Sequence, residues 1–154
     1  MTMTEFLRPD AVFANVKMTS KKHVLQFMSE KAAGMTGIAE RDILDTIMQR
    51  ERLGSTGVGN GIAIPHCKMK LATQLTGVFV RLDQPVDFEA IDDQKVDLVF
   101  MLIAPELAGA DHLKALSKVA RALRSTDIVE AIRRAPDSGM IYDVLSPRET
   151  SAAA

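Results

Sequence analysis

The six residues Leu98-Val99-Phe100-Met101-Leu102-Ile103 are apolar without interruption. A strand with one wet face alternates apolar with polar side chains, so a run without alternation needs cover on both sides. The segment Val96–Ile103 therefore reads as a central strand between two layers, and the rest of the chain must supply them. Helical spacing supplies them. Val24, Leu25, Met28 and Ala32 follow Thr19 or Ser20 as a cap, and Gly34 and Gly37 are expected to end that helix. A second helix is expected over Glu40–Leu53, with Ile43, Leu44, Ile47 and Met48 on one face and Gly54 as its stop. Further helices are expected from Gly109 or Asp111 to Arg124, from Ser125-Thr126-Asp127 to Arg134, and over Ser138–Leu145. In the first of these, Leu113, Leu116, Val119, Ala120 and Leu123 are read as inward.

Extended segments are expected at Val12–Val16, Ile62–Ile64 and Thr76–Leu82, with a short edge strand at Pro85-Val86-Asp87-Phe88. Helices precede, interrupt and follow the strands, so the fold class is α/β (α+β): a mixed sheet of about five strands covered by helices. At 154 residues the chain is sized for one domain, expected over residues 5–147, followed by a flexible C-terminal tail, 148–154.

Composition excludes several functions. A net charge of -1 gives no concentrated positive field for nucleic acid. Arg121, Arg124, Arg133 and Arg134 have acidic neighbours and read as solvated helix faces. No run of about 18 apolar residues occurs, so no membrane insertion is expected. MTMTEFLRPD lacks a basic region followed by an apolar core and does not read as a secretory signal. Cys67 is the single cysteine, so no intrachain disulfide can form, and a cytoplasmic location is expected.

The informative stretch is GSTGVGNGIAIPHCKMK, residues 54–70. Its glycines do not make a dinucleotide fingerprint, because the last glycine position is Ile62 and a strand follows rather than a helix. They do not make a P-loop either, since the Gly-Lys-Ser/Thr ending is missing. Two readings stay open on spacing alone. In one, the glycines form a hairpin and His66 only caps a strand. In the other, Ile64-Pro65 fixes the backbone ahead of a reactive His66, Ser55 and Thr56 supply hydroxyls, and the glycines let backbone N–H groups approach an anion. Arg50 and Arg52 close the preceding helix with positive charge. Rigidly held imidazole beside anion-binding groups suits phosphoryl transfer.

The run Arg50-Glu51-Arg52-Leu53-Gly54-Ser55-Thr56-Gly57-Val58-Gly59-Asn60-Gly61-Ile62-Ala63-Ile64-Pro65-His66 resembles the phosphorylation region of enzyme IIA proteins of the bacterial phosphotransferase system. The class is the fructose/mannitol type, in particular the nitrogen-regulatory enzyme IIA, and the resemblance spans roughly residues 5–147. It implies that His66 is the phosphorylated histidine, through Nε2, as a tele-phosphohistidine. It implies that Arg50 is the active-site arginine, and that His112, in Asp111-His112-Leu113-Lys114, is a second histidine beside the first. Without the resemblance His112 reads as a surface helix residue. Ser55 and Thr56 are carried as phosphate-binding residues.

The implied donor is a phosphorylated HPr-like phosphocarrier protein, the implied output is control of regulatory protein targets, and the step demands no metal or diffusible cofactor. The alternative is a sugar-specific enzyme IIA that passes its phosphoryl group to an enzyme IIB. The sequence departs from the family pattern at Cys67, where glycine commonly follows Pro-His. A Cys67–His66 nucleophile pair, or a zinc site from His66, Cys67 and His112, is disfavoured because neighbours on a strand point to opposite faces. His23 reads as solvated surface.

Overall fold

The computed structural model describes residues 1–147; the tail expected at 148–154 lies outside the described residues. Two short 3-10 turns, Met3–Glu5 and Pro9–Ala11, lead into β1 (Val12–Val16). Then come α1 (Lys21–Thr36), α2 (Glu40–Leu53), β2 (Gly57–Gly59), β3 (Ile62–Ala63), β4 (His66–Met69), β5 (Thr76–Val86) and β6 (Val96–Pro105). Three helices finish the order: α3 (Ala110–Arg124), α4 (Thr126–Arg134) and α5 (Ser138–Leu145).

The strands form one mixed sheet in the order β1-β5-β6-β3-β2, with β4 pairing β6 beyond the end of β3. β6 lies antiparallel to β5 and parallel to both β3 and β4. Its apolar run is divided between two cores. Val99, Met101 and Ile103 pack with Val24, Leu25, Met28, Ile43 and Ile47 of α1 and α2. Leu98, Phe100 and Leu102 pack with Ala115, Val119 and Leu123 of α3, Ile132 of α4 and Ile141 of α5. The requirement for cover on both faces is met by a helix–sheet–helix sandwich, the α/β architecture expected.

Local chemistry sets the helix ends. The Ser20 hydroxyl accepts from the N–H of His23 at 3.1 Å, and Ser125 and Asp137 cap α4 and α5 in the same way. Gly37, at φ 79°, closes α1 in the left-handed region. Gly34 does not end that helix, contrary to expectation; it lies inside it.

Two further expectations are corrected. Pro85-Val86 is not a separate edge strand but the end of β5, where Val86 pairs with Val96, and Phe88 beyond it is fully buried. On α3 the buried stripe is His112, Ala115, Val119 and Leu123, while Leu113 is 67% exposed. Val119 and Leu123 are inward as expected, Leu116 and Ala120 pack against the same core, and only Leu113 points out, with His112 buried in the first turn.

Candidate functional site

The Asn60-Gly61 turn joins β2 to β3 with both residues at positive φ, 58° and 81°. This is the backbone handedness that suits a tight two-residue hairpin. The hairpin reading is correct, and it does not displace the reactive one, because the same turn starts the line that leads to His66. Pro65 has no N–H, so the ladder breaks between β3 and β4. The Pro65 carbonyl still accepts from the N–H of Leu102 at 2.9 Å, which keeps the chain on β6 across the break. His66 is therefore not the end of a strand, as the sequence suggested, but the first residue of β4.

At the break, His66 Nδ1 lies 2.8 Å from the carbonyl oxygen of Ile64. A carbonyl only accepts, so Nδ1 carries the proton and donates it. The lone pair of the neutral ring is then on Nε2. β4 pairs with β6 alone, and its first side chain is half-buried rather than enclosed. A nucleophilic nitrogen is thus held in one tautomer at a sheet edge.

His112 sits in the first turn of α3, with its ring centroid 6.0 Å from that of His66 and the planes inclined at 44°. It is buried, and its Nδ1 has no hydrogen-bond partner among the described residues. Burial first, then the charges of His66 and Lys68, hold its pKa below the ordinary histidine value. The neutral ring is the favoured form, able to meet a neighbour through one donor and one acceptor nitrogen.

The other expected residues are placed differently. Arg50 lies in the last turn of α2, where Nη1 donates to the Gly54 carbonyl at 2.9 Å; among the described residues this is its hydrogen bond, and none runs to His66. Ser55 Oγ donates to the Phe88 carbonyl at 2.7 Å and accepts from the N–H of Gly57 at 3.0 Å. The Thr56 hydroxyl donates to Glu51 Oε2, and its N–H reaches Glu51 Oε1 at 3.2 Å. Both hydroxyl hydrogens are committed inside the protein, so these two side chains shape the loop. Cys67 points into the α1–α2 core, opposite to His66, and burial pushes its thiol pKa up to about 12. His23 is exposed.

Sequence reasoning missed the polar ties that brace this loop. Glu51 is buried and also takes Lys21 Nζ at 2.9 Å. Asp92 accepts the N–H groups of Asn60 and Gln94, each at 3.0 Å, and those bonds hold its carboxyl below the usual carboxylate range. Arg133, read as a solvated charge, pairs with Asp97 at 2.8 Å and donates to the Asn60 carbonyl at 3.0 Å. Apart from the Asp92–Gln94 bond, these ties join residues 30 to 73 positions apart, and no local spacing announces them. His112 did leave a signal: it stands three residues before Ala115 and seven before Val119, on their helical stripe.

The family model for the phosphoenolpyruvate-dependent sugar phosphotransferase system, EIIA 2, matches residues 5–147. A nitrogen regulatory protein of Bradyrhizobium diazoefficiens is 48% identical over 99% of this chain and 100% of its own length. A protein of Haloferax volcanii named as a fructose-specific EIIA component of the same system is 35% identical, over 82% of this chain and 83% of its own. Among solved structures, the nitrogen regulatory protein IIA-Ntr of Neisseria meningitidis superposes with a TM-score of 0.89 at 31% identity, covering 94% of this chain and 99% of that one. No described helix is long and apolar enough to cross a membrane.

Proposed function

The chain belongs to the EIIA 2 family of the phosphoenolpyruvate-dependent phosphotransferase system, and on that premise we propose that His66 accepts a phosphoryl group on Nε2 from a phosphorylated HPr-like protein, the phosphorylation state then controlling which proteins bind. One observation carries the chemistry: the 2.8 Å contact of Nδ1 with the Ile64 carbonyl, which leaves Nε2 as the nucleophile.

The step is an in-line displacement. The Nε2 lone pair forms the new N–P bond as the donor's N–P bond breaks, and that electron pair returns to the donor imidazole. The donor ring keeps its other N–H and leaves neutral. The His66 ring keeps its Nδ1 proton and becomes a phosphoimidazolium, whose positive charge the Ile64 carbonyl dipole stabilises. No proton changes hands, which suits a reversible carrier.

His112, neutral and against the acceptor, orients the transferring oxygens by a hydrogen bond. Arg50 supplies a guanidinium after releasing Gly54, and Ser55 and Thr56 shape the loop that precedes the acceptor. Output follows from charge. Phosphorylation adds nearly two negative charges at His66, so a partner that packs apolar surface over that side chain prefers the unphosphorylated form.

The test is incubation with phosphoenolpyruvate, enzyme I and the HPr-like protein, read by mass and by phosphorus NMR for the N–P linkage. Acid-labile phosphate on Nε2 of His66 is expected, absent from a folded His66→Ala variant, with Arg50→Ala slower than Arg50→Lys. Stoichiometric phosphate on His66→Ala, or linkage through Nδ1, refutes the assignment. A second reading, onward transfer to an enzyme IIB in sugar uptake, is favoured by the fructose-specific relative; loss of label to an added IIB would select it.

A further inference from the structure

We infer that Lys68 is a cation of the phosphoryl site, an ammonium on His66's own face of β4 that stabilises the phosphorylated form. The inference rests on His66 being the acceptor. β4 alternates: Cys67 and Met69 enter the α1–α2 core, so His66 and Lys68 both face the side where α3 lies. Two residues along a strand are about 6.6 Å apart, a span that lysine's four-carbon stem covers.

A second observation closes the triangle. Lys68 acts electrostatically on His112, whose ring stands 6.0 Å from that of His66, so the ammonium is near both imidazoles. Lys68 is exposed and has no ion pair or hydrogen bond among the described residues. Arg50, by contrast, is tied to Gly54. Lys68 is thus an unengaged cation on the acceptor's own strand face before any phosphoryl group arrives.

The group that forms on Nε2 carries nearly two negative charges near neutral pH. One positive charge about 7 Å away in a mostly aqueous setting favours that form by about three- to tenfold, the lower figure at physiological salt. This effect is on an equilibrium. A lysine that only docked the donor would change the rate of transfer and leave the equilibrium position untouched, because docking contacts are absent from both end states.

The experiment mixes the phosphorylated HPr-like protein with wild type, Lys68→Gln, Lys68→Arg and Lys68→Glu at two salt concentrations. Phosphorus NMR reads the final partition and quenched samples read the rate, with thermal melting confirming each fold. Lys68→Gln is expected to shift the partition about three- to tenfold toward the donor, Lys68→Glu further, and Lys68→Arg to restore it; added salt should shrink the difference. An unchanged partition in Lys68→Gln overturns the inference even where the rate falls. Wild type that takes no phosphate at His66 overturns the acceptor reading itself, and is recognised without reference to any Lys68 variant.

Discussion

Replacing Glu51 tests whether the loop ahead of His66 is held by a buried charge. Its carboxylate accepts from the Thr56 N–H, the Thr56 hydroxyl and Lys21 Nζ, and its side chain is 3% exposed against 14% for Lys21. Removing one partner of a fully buried pair costs about 3–5 kcal/mol. Lys21 is less stranded than that, because it keeps Glu89 at 3.4 Å and the Phe88 ring at 5.1 Å. Glu51→Gln keeps the shape and one acceptor oxygen, so about 2–3 kcal/mol is expected. Glu51→Ala also takes the acceptor from the Thr56 N–H and hydroxyl, at about 1–3 kcal/mol for each such group, so a total above about 4 kcal/mol is expected. The assay is urea unfolding followed by far-ultraviolet circular dichroism. The paired change Lys21→Met with Glu51→Leu should cost less than Glu51→Ala alone, since no charge is then left buried. A loss below about 1 kcal/mol for Glu51→Ala, or strict additivity of Lys21→Met and Glu51→Gln, would refute the bracing role.

Three further outcomes are expected. With its thiol pKa pushed up to about 12, Cys67 should react with iodoacetamide at mildly alkaline pH on the order of a thousandfold more slowly than in the urea-unfolded chain; equal rates would mean that it is not buried. His112 binds its proton more weakly folded than unfolded, so the unfolded state takes up protons first and stability falls as pH drops below about 6.5. His112→Gln should flatten that slope in urea melts at stepped pH, and an unchanged slope would remove His112 as its source. Gly61→Ala should cost about 2 kcal/mol or more in the same melts, because φ is 81° and the added methyl would meet Arg133 Nη2 at 2.6 Å; a neutral result would show the turn can relax.

How much was legible follows from the range of the physics involved. α2 begins and ends where apolar spacing and the Gly54 stop indicated, α5 spans the expected Ser138–Leu145, and the two-faced strand lies where its composition demanded. These are local signals. The single His66-bearing stretch was legible because turn, proline and histidine are contiguous, and the family resemblance rests on that contiguity. The edge strand at Pro85 was misread because proline punctuates a sequence, whereas here β5 continues to Val86 before the chain turns toward Phe88. The burial of His112 was misread because Leu113 drew the start of the apolar stripe to itself; an imidazole on the Ala115–Val119 stripe was the better guide. Lys21–Glu51, Arg133–Asp97, and Arg81 with the Ile132 and Ala135 carbonyls were not legible at all, since each joins residues from separate elements.

The register of β4 is what makes His66 rather than Cys67 the reachable side chain. Side chains alternate along a strand, so a slip of one residue on β6 would turn the imidazole into the α1–α2 core and bring the thiol to the α3 side. Three backbone bonds oppose that slip: Asp97 and Leu98 donate to the Gly61 carbonyl at 3.0 and 3.1 Å, and Glu106 donates to Met69 at 3.1 Å. Pro65 removes a ladder donor at the midpoint, yet the bonds on either side keep His66 opposite Leu102. The cost of that interruption is a lost rung, and its return is an Ile64 carbonyl positioned for the Nδ1 proton. The glycine hairpin, the proline and the histidine therefore act in sequence: the turn fixes where the line starts, the break selects the tautomer, and the register aims the ring toward His112.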